Sequence, residues 1–428
     1  LNFAVFTPFF AWLTPQAAPH AIKAMNALHV LGGAWTARGL VRGWTRDRDC
    51  GLAAALLFVA LLGRDWALSS YGEFYTIFPI LLSAALLERE RPAWFSVGLL
   101  WGGAFFLKQV AVFDAAALAG GYLFLRQAPS RASGMAAAAL GIGTVFALVA
   151  AYFAWHGALG DATDSMFLRA LDYRAVPNLP ILKRAVLFCR LILFPALRDF
   201  WPCWLAAAAA LAVGRSTAPA VLTGRVFRAL LLWLGLNLFG VWCVGKMHLH
   251  YALVLVPPAC LLAGISLSAA PPALRMNIRR ALAALLLLAG AWECIPRLRA
   301  LAAQGWIDPK VRGSTELAQI IRRGTRPEDR IFLYGIKNLD VFYLSERLSA
   351  NGVYMYLSME KTFLHKPELV DLYRRRLLER PPAILIANAS PAFNGASPAT
   401  RAFFSGLLRE RYLLTDTLGE AAVYRLKE

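Results

Sequence analysis

Long apolar runs alternate with short polar clusters along the first two thirds of the chain. Residues 94–107 and 136–155 contain no charged side chain at all. Several such runs approach the roughly 20 apolar residues that cross a bilayer as a helix. The pattern therefore predicts a polytopic α-helical membrane domain over residues 1–295, with about ten transmembrane helices.

The pattern changes after residue 296. Short β-rich runs now alternate with polar helical segments, the strands at 330–335, 383–387 and 421–426 and the helices at 367–379 and 400–409. Such alternation is typical of a small α/β fold. Residues 296–428 are therefore predicted to form a C-terminal α/β soluble domain. Its sequence contains no Gly-rich phosphate loop, zinc-ligand spacing or nucleophile elbow.

Charge sets the predicted orientation of the helices. Residues 1–295 contain 24 Lys and Arg against 12 Asp and Glu, and residues 296–428 contain 21 against 14, which together give the net charge of +19. Arginines gather at alternate helix ends, as at 38–48 and 271–280, so the positive-inside rule places these ends in the cytoplasm. The chain is then predicted to be a multi-pass membrane protein with an extracytoplasmic C-terminal domain. Its high Ala, Arg and Leu content suggests a GC-rich bacterial genome, and therefore a bacterial inner membrane. Its basic charge is typical of a protein that faces anionic membrane lipids, and no basic-aromatic pattern indicates nucleic-acid binding.

The six cysteines indicate neither a disulfide framework nor a metal site. None forms a CxxC pair, and most lie within apolar runs. Cysteines in such positions usually behave as small buried hydrophobic residues.

The main polar interruption is the segment Lys246-Met247-His248-Leu249-His250-Tyr251, between the apolar runs 229–245 and 252–268. A lysine at a helix mouth can neutralise a lipid phosphate, and a histidine can hydrogen-bond to it or shuttle a proton. The alternate spacing of Lys246, His248 and His250 suits an extended turn that points all three side chains the same way. The simpler interpretation is that they are loop or snorkelling side chains that mark a helix end.

Further candidates interrupt apolar segments on the same predicted outer side. Lys108 and Gln109 follow the run 94–107, Glu73 follows Tyr71-Gly72, and Asp114 lies shortly after Lys108. Ionisable groups at membrane depth are costly, so each is a candidate for function. Asp114 could instead simply pair with Lys108. The 156–184 interval is interpreted as an external loop that contains a short amphipathic helix.

These features resemble the GT-C superfamily of membrane glycosyltransferases, and within it the bacterial family 39 and aminoarabinose-transferase-like enzymes. Two segments carry the similarity, namely residues 250–258, which run from His250-Tyr251 to Pro257-Pro258, and the run 97–109, which ends in Lys108-Gln109. The soluble domain predicted after the membrane half is a third point of similarity to this superfamily. The resemblance covers nearly all of the membrane half.

The resemblance implies that a sugar moves from a polyprenyl-phosphate donor to a lipid, glycan or protein acceptor, with inversion, on the extracytoplasmic face. The side chains expected to bind the donor phosphate are Lys246, His248, His250, Tyr251, Lys108 and Gln109. Glu73 is an additional acidic candidate. The general base of the family is an acid in the first external loop, and residues 1–48 resemble the part after that loop, so the catalytic Asp is expected upstream of residue 1. The resemblance implies no definite cofactor. It allows a divalent metal ion, but this sequence contains no convincing set of metal ligands.

Two other functional classes stay open at this stage. A transporter or flippase would show interrupted helices at matching places in two halves of the chain, and no such symmetry is evident. A protein that only binds or flips polyprenyl lipid, without transferase activity, would share the phosphate-binding residues. The membrane lipids are partners under each of these hypotheses.

Overall fold

The computed structural model describes the following residues: 18–62, 72–125, 131–168, 180–201, 203–204, 208, 224–244, 249–303, 309–335, 340–350, 367–388 and 397–427. They belong to two compact units. The first, from Ala18 to Trp292, is a helical bundle. The second begins at Glu293 and contains a β-sheet.

The helices of the first unit follow the apolar runs of the sequence. In chain order they are α1 (Ala18–Thr45), α2 (Arg48–Leu62), α3 (Gly72–Leu87), α4 (Trp94–Leu107), α5 (Ala111–Leu125), α6 (Arg131–Trp155), α7 (Leu159–Thr163), α8 (Ile181–Phe188), α9 (Phe194–Asp199), α10 (Arg225–Val244), α11 (Val256–Leu267) and α12 (Pro272–Ala303). The last residues of α12, from Glu293, belong to the second unit. Two π-helical segments, Asp164–Leu168 and Cys189–Leu193, follow α7 and α8, and a 3-10 helix, Leu249–Leu255, precedes α11.

Membrane-spanning character is clearest in three segments of the described chain. Ala132–Trp155, Arg225–Cys243 and His250–Leu267 are each long and apolar enough to cross a bilayer. Leu140 and Leu148 on α6 are about two-thirds exposed, as expected of side chains that face lipid. The predicted class, a polytopic helical membrane protein with a small sheet-containing unit, is confirmed. The number of crossings, about ten, stays a prediction.

Helix α11 forms the centre of the bundle. All of its residues from Val256 to Leu267 are buried. Its Gly264 lies so close to α2 that an added Cβ would meet the Ala54 Cβ at 2.9 Å. Small residues of this kind allow helix backbones to approach closely in membranes. The 252–268 run is therefore interior, although its hydropathy alone would equally suit a lipid-facing helix.

Two ion pairs hold one end of the bundle together. Arg275 and Arg279 on α12 contact Asp47 and Asp49 at the start of α2. Asp47 also caps α2, because its Oδ1 accepts hydrogen bonds from the Asp49 and Cys50 amides at 2.7 and 3.0 Å.

The arginine-rich residues 271–280 are predicted from the sequence to form a loop between two crossing helices. This prediction is wrong, since α12 is continuous from Pro272. The arginine-rich segments 38–48 and 271–280 nevertheless meet at one end of the bundle, through the Asp47 and Asp49 contacts. This agrees with the prediction that both segments lie on the same side of the membrane.

The second unit is an α/β structure. Its strands are β1 (Arg330–Tyr334), β2 (Leu348–Ser349), β3 (Ile384–Asn388), β4 (Tyr412–Leu418) and β5 (Ala421–Leu426), in the sheet order β2-β1-β3-β5-β4. β1 is parallel to β2 and β3, whereas β5 is antiparallel to β3 and β4. The helices are α13 (Pro309–Gly324), α14 (Asp340–Ser345), α15 (Pro367–Glu379) and α16 (Pro398–Arg411).

Alternation along the strands builds two apolar layers. Ile331 on β1 belongs to the layer that contains Ile321 of α13, whereas the next residue, Phe332, stacks on Phe404 of α16 with ring centroids 5.6 Å apart. Successive strand side chains point to opposite faces, so a strand covered on both faces is apolar throughout. This explains why 331–334 and 383–387 are continuous apolar runs.

Candidate functional site

The centre of the candidate site is an ion pair between Glu73 and Lys108. The Lys108 Nζ lies 2.9 Å from the Glu73 Oε1. Glu73 lies in the first turn of α3 and is only 1% exposed, while 29% of the Lys108 side chain is exposed. A buried carboxylate is stable only when it is compensated, and this lysine supplies the opposite charge.

Lys108 owes its position to the end of α4. It caps the helix in an extended conformation, with φ of −161° and ψ of 125°, and its amide donates to the Ala104 carbonyl. The Lys108 carbonyl in turn accepts a hydrogen bond from the Ala111 amide at the start of α5. The side chain therefore leaves the helix at the break between two apolar helices, at one end of each.

Tyr251 is a second neighbour of the lysine. The Lys108 Nζ is 5.0 Å from the centroid of the Tyr251 ring, a cation–π distance. The His250 ring lies 4.6 Å from the Tyr251 ring. Four candidates from three distant parts of the sequence, Glu73, Lys108, His250 and Tyr251, thus converge on one place.

His250 and Tyr251 lie in the first turn of the 3-10 helix Leu249–Leu255, so His250 is not in the extended turn predicted for Lys246, His248 and His250. The two Pro residues at the start of α11, Pro257 and Pro258, follow this helix directly. Lys246 and His248 lie outside the described residues.

Gln109 contacts the segment that follows α7. Its Nε2 donates to the Met166 carbonyl at 3.4 Å. Phe167 in the same segment stacks on Phe105 of α4, with 6.3 Å between ring centroids. These contacts place the 159–168 part of the predicted external loop beside the Lys108 end of α4. It is helical, as predicted for this interval.

Asp114 has a different role from the one considered for it. It does not pair with Lys108; its Oδ1 accepts hydrogen bonds from Trp233 Nε1 at 2.6 Å and Asn237 Nδ2 at 2.7 Å. The same Asn237 Nδ2 also donates to the Val254 carbonyl at 2.7 Å. Asp114 therefore joins α5 to α10 and, through Asn237, to the 3-10 helix that contains Tyr251.

Arg184 is a residue that the sequence analysis did not single out. Its Nη2 donates to the Trp242 carbonyl at 2.6 Å, and its guanidinium lies 5.1 Å from the Trp242 ring centroid. This attaches α8 to the last turns of α10, just before the Lys246 segment. Two signals in the sequence could have indicated the roles of Arg184 and Asn237. Arg184 is an arginine between two apolar segments, and Asn237 is a lone asparagine within an apolar helix.

The arrangement offers complementary charges to a ligand. The Lys108 ammonium has three donors, so besides its ion pair with Glu73 it can also bind a phosphate oxygen. Both carboxylate oxygens of Glu73 are buried and neither accepts a hydrogen bond from the described residues, so this carboxylate retains acceptor capacity. No group of three or more His, Cys, Asp or Glu within the described part of the chain could hold a metal ion.

An apolar helical bundle that holds a buried Glu–Lys pair beside a tyrosine, followed by an α/β unit, defines a multi-pass membrane protein with a polar site at one end of its helices. Two solved structures are similar over nearly the whole chain. The crystal structure of ArnT from Cupriavidus metallidurans bound to undecaprenyl phosphate has a TM-score of 0.58 and 13% identity. The apo structure of the same protein has a TM-score of 0.55 and 12% identity. Each match covers 94% of this chain and 83% of the ArnT chain.

These similarities confirm the predicted fold. At such low identity they concern the fold alone, which is the polytopic membrane fold of ArnT. No protein-family model matches the sequence, and no curated protein matches it significantly.

Proposed function

We propose that this protein is a membrane glycosyltransferase that takes a sugar from a polyprenyl-phosphate donor. The proposal is supported mainly by the Glu73–Lys108 pair, within a fold similar to that of a protein crystallised with undecaprenyl phosphate. The acceptor is a lipid, glycan or protein, and the reaction takes place on the extracytoplasmic face of a bacterial inner membrane.

Lys108 is the residue that we assign to the donor phosphate. Its ammonium is held between the Glu73 carboxylate and the face of Tyr251, so its position is set before a ligand arrives. A preorganised cation stabilises the charge that develops on a leaving phosphate and needs no reorganisation during the reaction. Gln109, His250 and Tyr251 complete the described part of this site, and we assign Lys246 and His248 to it as well.

Glu73 serves a positioning role for Lys108 and offers its second oxygen to the sugar. In the transfer, the bond between the anomeric carbon and the phosphate oxygen breaks, and a bond from the acceptor oxygen to the anomeric carbon forms. The acceptor proton passes to a carboxylate base, and the polyprenyl phosphate leaves with the electron pair of the broken bond. Because Glu73 is already paired with Lys108, we do not assign it as that base.

Transfer of a radiolabelled sugar tests the proposal. Membranes that contain the full-length protein are supplied with polyprenyl-phosphate sugars and native lipid extract, and labelled product is counted. Lys108→Gln should lower transfer at least tenfold, since it removes a charge-assisted contact worth about 1.5–3 kcal/mol. The matched control is Lys183→Gln, an exposed lysine on α8.

Binding of undecaprenyl phosphate separates the transferase from the alternative. Saturable binding that Lys108→Gln weakens, without transfer from any donor, would favour a protein that binds or flips polyprenyl lipid. Equal transfer by Lys108→Gln and Lys183→Gln would remove Lys108 from the site.

A further inference from the structure

Asn237 is fully buried in the apolar helix α10, and its side-chain amide joins two other parts of the bundle. Its Nδ2 donates to the Asp114 Oδ1 on α5 and to the Val254 carbonyl in the 3-10 helix, each at 2.7 Å. Both N–H donors of the amide are therefore used. A polar side chain at membrane depth is costly, so this asparagine is a candidate for function.

The Val254 carbonyl requires a donor from outside its own helix. The 3-10 helix Leu249–Leu255 continues directly into α11, so this carbonyl would ordinarily bond to the amide three or four residues ahead. Those two residues are Pro257 and Pro258, and proline has no N–H. The carbonyls just before and just after it each keep one such amide. The double proline thus removes both helical donors from the Val254 carbonyl alone.

Asn237 supplies the missing donor. Val254 is 1% exposed, so its carbonyl would be left unpaired and away from water without this contact, at a cost in free energy. Asp114 in turn holds the Asn237 amide, and the Trp233 Nε1 donates to the same Asp114 oxygen at 2.6 Å. The buried asparagine and the double proline, distant in the sequence, are therefore the two halves of one contact.

This contact lies one turn of the 3-10 helix beyond Tyr251, whose ring centroid is 5.0 Å from the Lys108 Nζ. Residues three apart in a 3-10 helix are eclipsed, so Tyr251 and Val254 share one face. The helix has only seven residues, and hydrogen bonds of the 3-10 type have poorer geometry than those of an α-helix. A fixed point near its end therefore determines where the Tyr251 ring lies.

We propose that Asn237 is a positioning residue for the donor site. By binding the Val254 carbonyl it fixes the 3-10 helix, and with it the Tyr251 ring beside Lys108. Asp114 and Trp233 orient Asn237 and act through it. The inference rests on the proposed function, because it takes Tyr251 and Lys108 to bind the polyprenyl-phosphate donor.

Titration of the full-length protein in detergent with undecaprenyl phosphate, followed by native mass spectrometry, tests this role. Asn237→Leu keeps α10 apolar but removes the donor to the Val254 carbonyl. We expect the dissociation constant to rise about tenfold, since the arrangement that binds the phosphate is then only a fraction of the population.

The matched control is Ser83→Ala, which removes another buried hydrogen bond between helices, from the Trp101 Nε1 to the Ser83 Oγ at 2.9 Å. At 1.5 Å per residue, Ser83 is about 15 Å along α3 from Glu73. This variant should therefore lose thermal stability but keep the affinity of the parent chain.

A double-mutant cycle separates positioning from a general loss of stability. In a Tyr251→Leu background, Asn237→Leu should change the affinity by no more than about twofold, because the ring that it positions is absent. A residue with a merely structural role would lower the affinity by the same factor in both backgrounds.

A second variant keeps the inference testable if Asn237→Leu folds poorly. Pro258→Ala restores a backbone amide four residues after Val254, where it can donate to the unpaired carbonyl. Combined with Asn237→Leu, it should raise the melting temperature and recover part of the lost affinity. In the Ser83→Ala background it should do neither.

Three results would overturn this inference and leave the proposed function intact. They are equal affinity of Asn237→Leu and Ser83→Ala, an equal effect of Asn237→Leu with and without the Tyr251 ring, and no recovery on adding Pro258→Ala. A parent chain that does not bind undecaprenyl phosphate would instead overturn the proposed function, and this inference with it.

Discussion

Lys108 and Glu73 lie 2.9 Å apart, although each was a separate candidate at the end of a different apolar run. The contact joins the end of α4 to the first turn of α3. It compensates the buried charge of Glu73 and fixes the direction of the lysine side chain. The Lys108 ammonium group thereby also lies over the face of the Tyr251 ring. The ion pair that compensates the buried carboxylate thus also holds the lysine to which we assign the donor phosphate.

Removing one partner of this pair should cost more than removing both. Lys108→Met leaves an uncompensated buried carboxylate, and we expect a loss of up to about 3–5 kcal/mol in the free energy of unfolding. Glu73→Gln should cost less, since Lys108 is partly exposed. In the double variant the loss should be smaller than the sum of the two single losses by about 1 kcal/mol or more. A coupling energy of this size is usual for two residues in direct contact. Thermal unfolding in detergent measures each value, and strict additivity would contradict the pairing.

Asp114 should matter for stability through its two donors. Asp114→Ala leaves the Trp233 N–H buried without its acceptor, while Asn237 keeps the Val254 carbonyl. We expect a loss of about 1–3 kcal/mol, and a smaller one for Asp114→Asn, which retains an acceptor oxygen. The control is Glu90→Gln, an exposed acid, which should stay within about 0.5 kcal/mol of the parent. A loss no larger than that of the control would show that this network contributes little.

Asp47 allows capping to be separated from ion pairing. Asp47→Asn retains the oxygen that accepts from the Asp49 and Cys50 amides but loses the charge that faces Arg275. Its cost should be about 0–1 kcal/mol, as for partly exposed ion pairs. Asp47→Ala also loses the cap and should lower the free energy of unfolding by a further amount of about 0.5–2 kcal/mol. Equal melting temperatures for the two variants would mean that the cap contributes nothing.

Phe404 should be a main determinant of the second unit's stability. It is 1% exposed and stacks on Tyr334, with 3.9 Å between ring centroids, and on Phe332. Phe404→Ala should destabilise this unit by about 3–5 kcal/mol. Hydrogen exchange of the full-length protein would then be faster in β1 and α16. The exposed Arg401→Ala should leave exchange unchanged, and equal protection in both variants would argue against this packing.

The sequence alone determined most of the elements. Helices at 94–107 and 367–379 and the strand at 421–426 have the bounds that the pattern predicts. Hydrophobic periodicity and apolar length are local properties, and they report directly on whether a segment is helical, extended or membrane-spanning. Local rules erred where a polar stretch continued a helix, since Arg275 and Arg279 lie on the face of α12 that pairs with Asp47 and Asp49. They also erred at His250, which lies in a 3-10 helix and not in an extended turn.

Only the tertiary structure decided which polar residues act together. Spacing suggested Asp114 as a partner for Lys108, yet the lysine pairs with Glu73 and the aspartate with Trp233 and Asn237. These partners lie on helices distant in sequence, and their meeting depends on how α3, α5 and α10 pack. Likewise, the packing of the bundle brings three residues from the ends of different helices, Trp44, Glu88 and Arg225, to the wall of one cavity. A buried charge or N–H selects its partner by proximity in the packed interior, where the cost of desolvation applies, and a linear sequence does not contain that proximity.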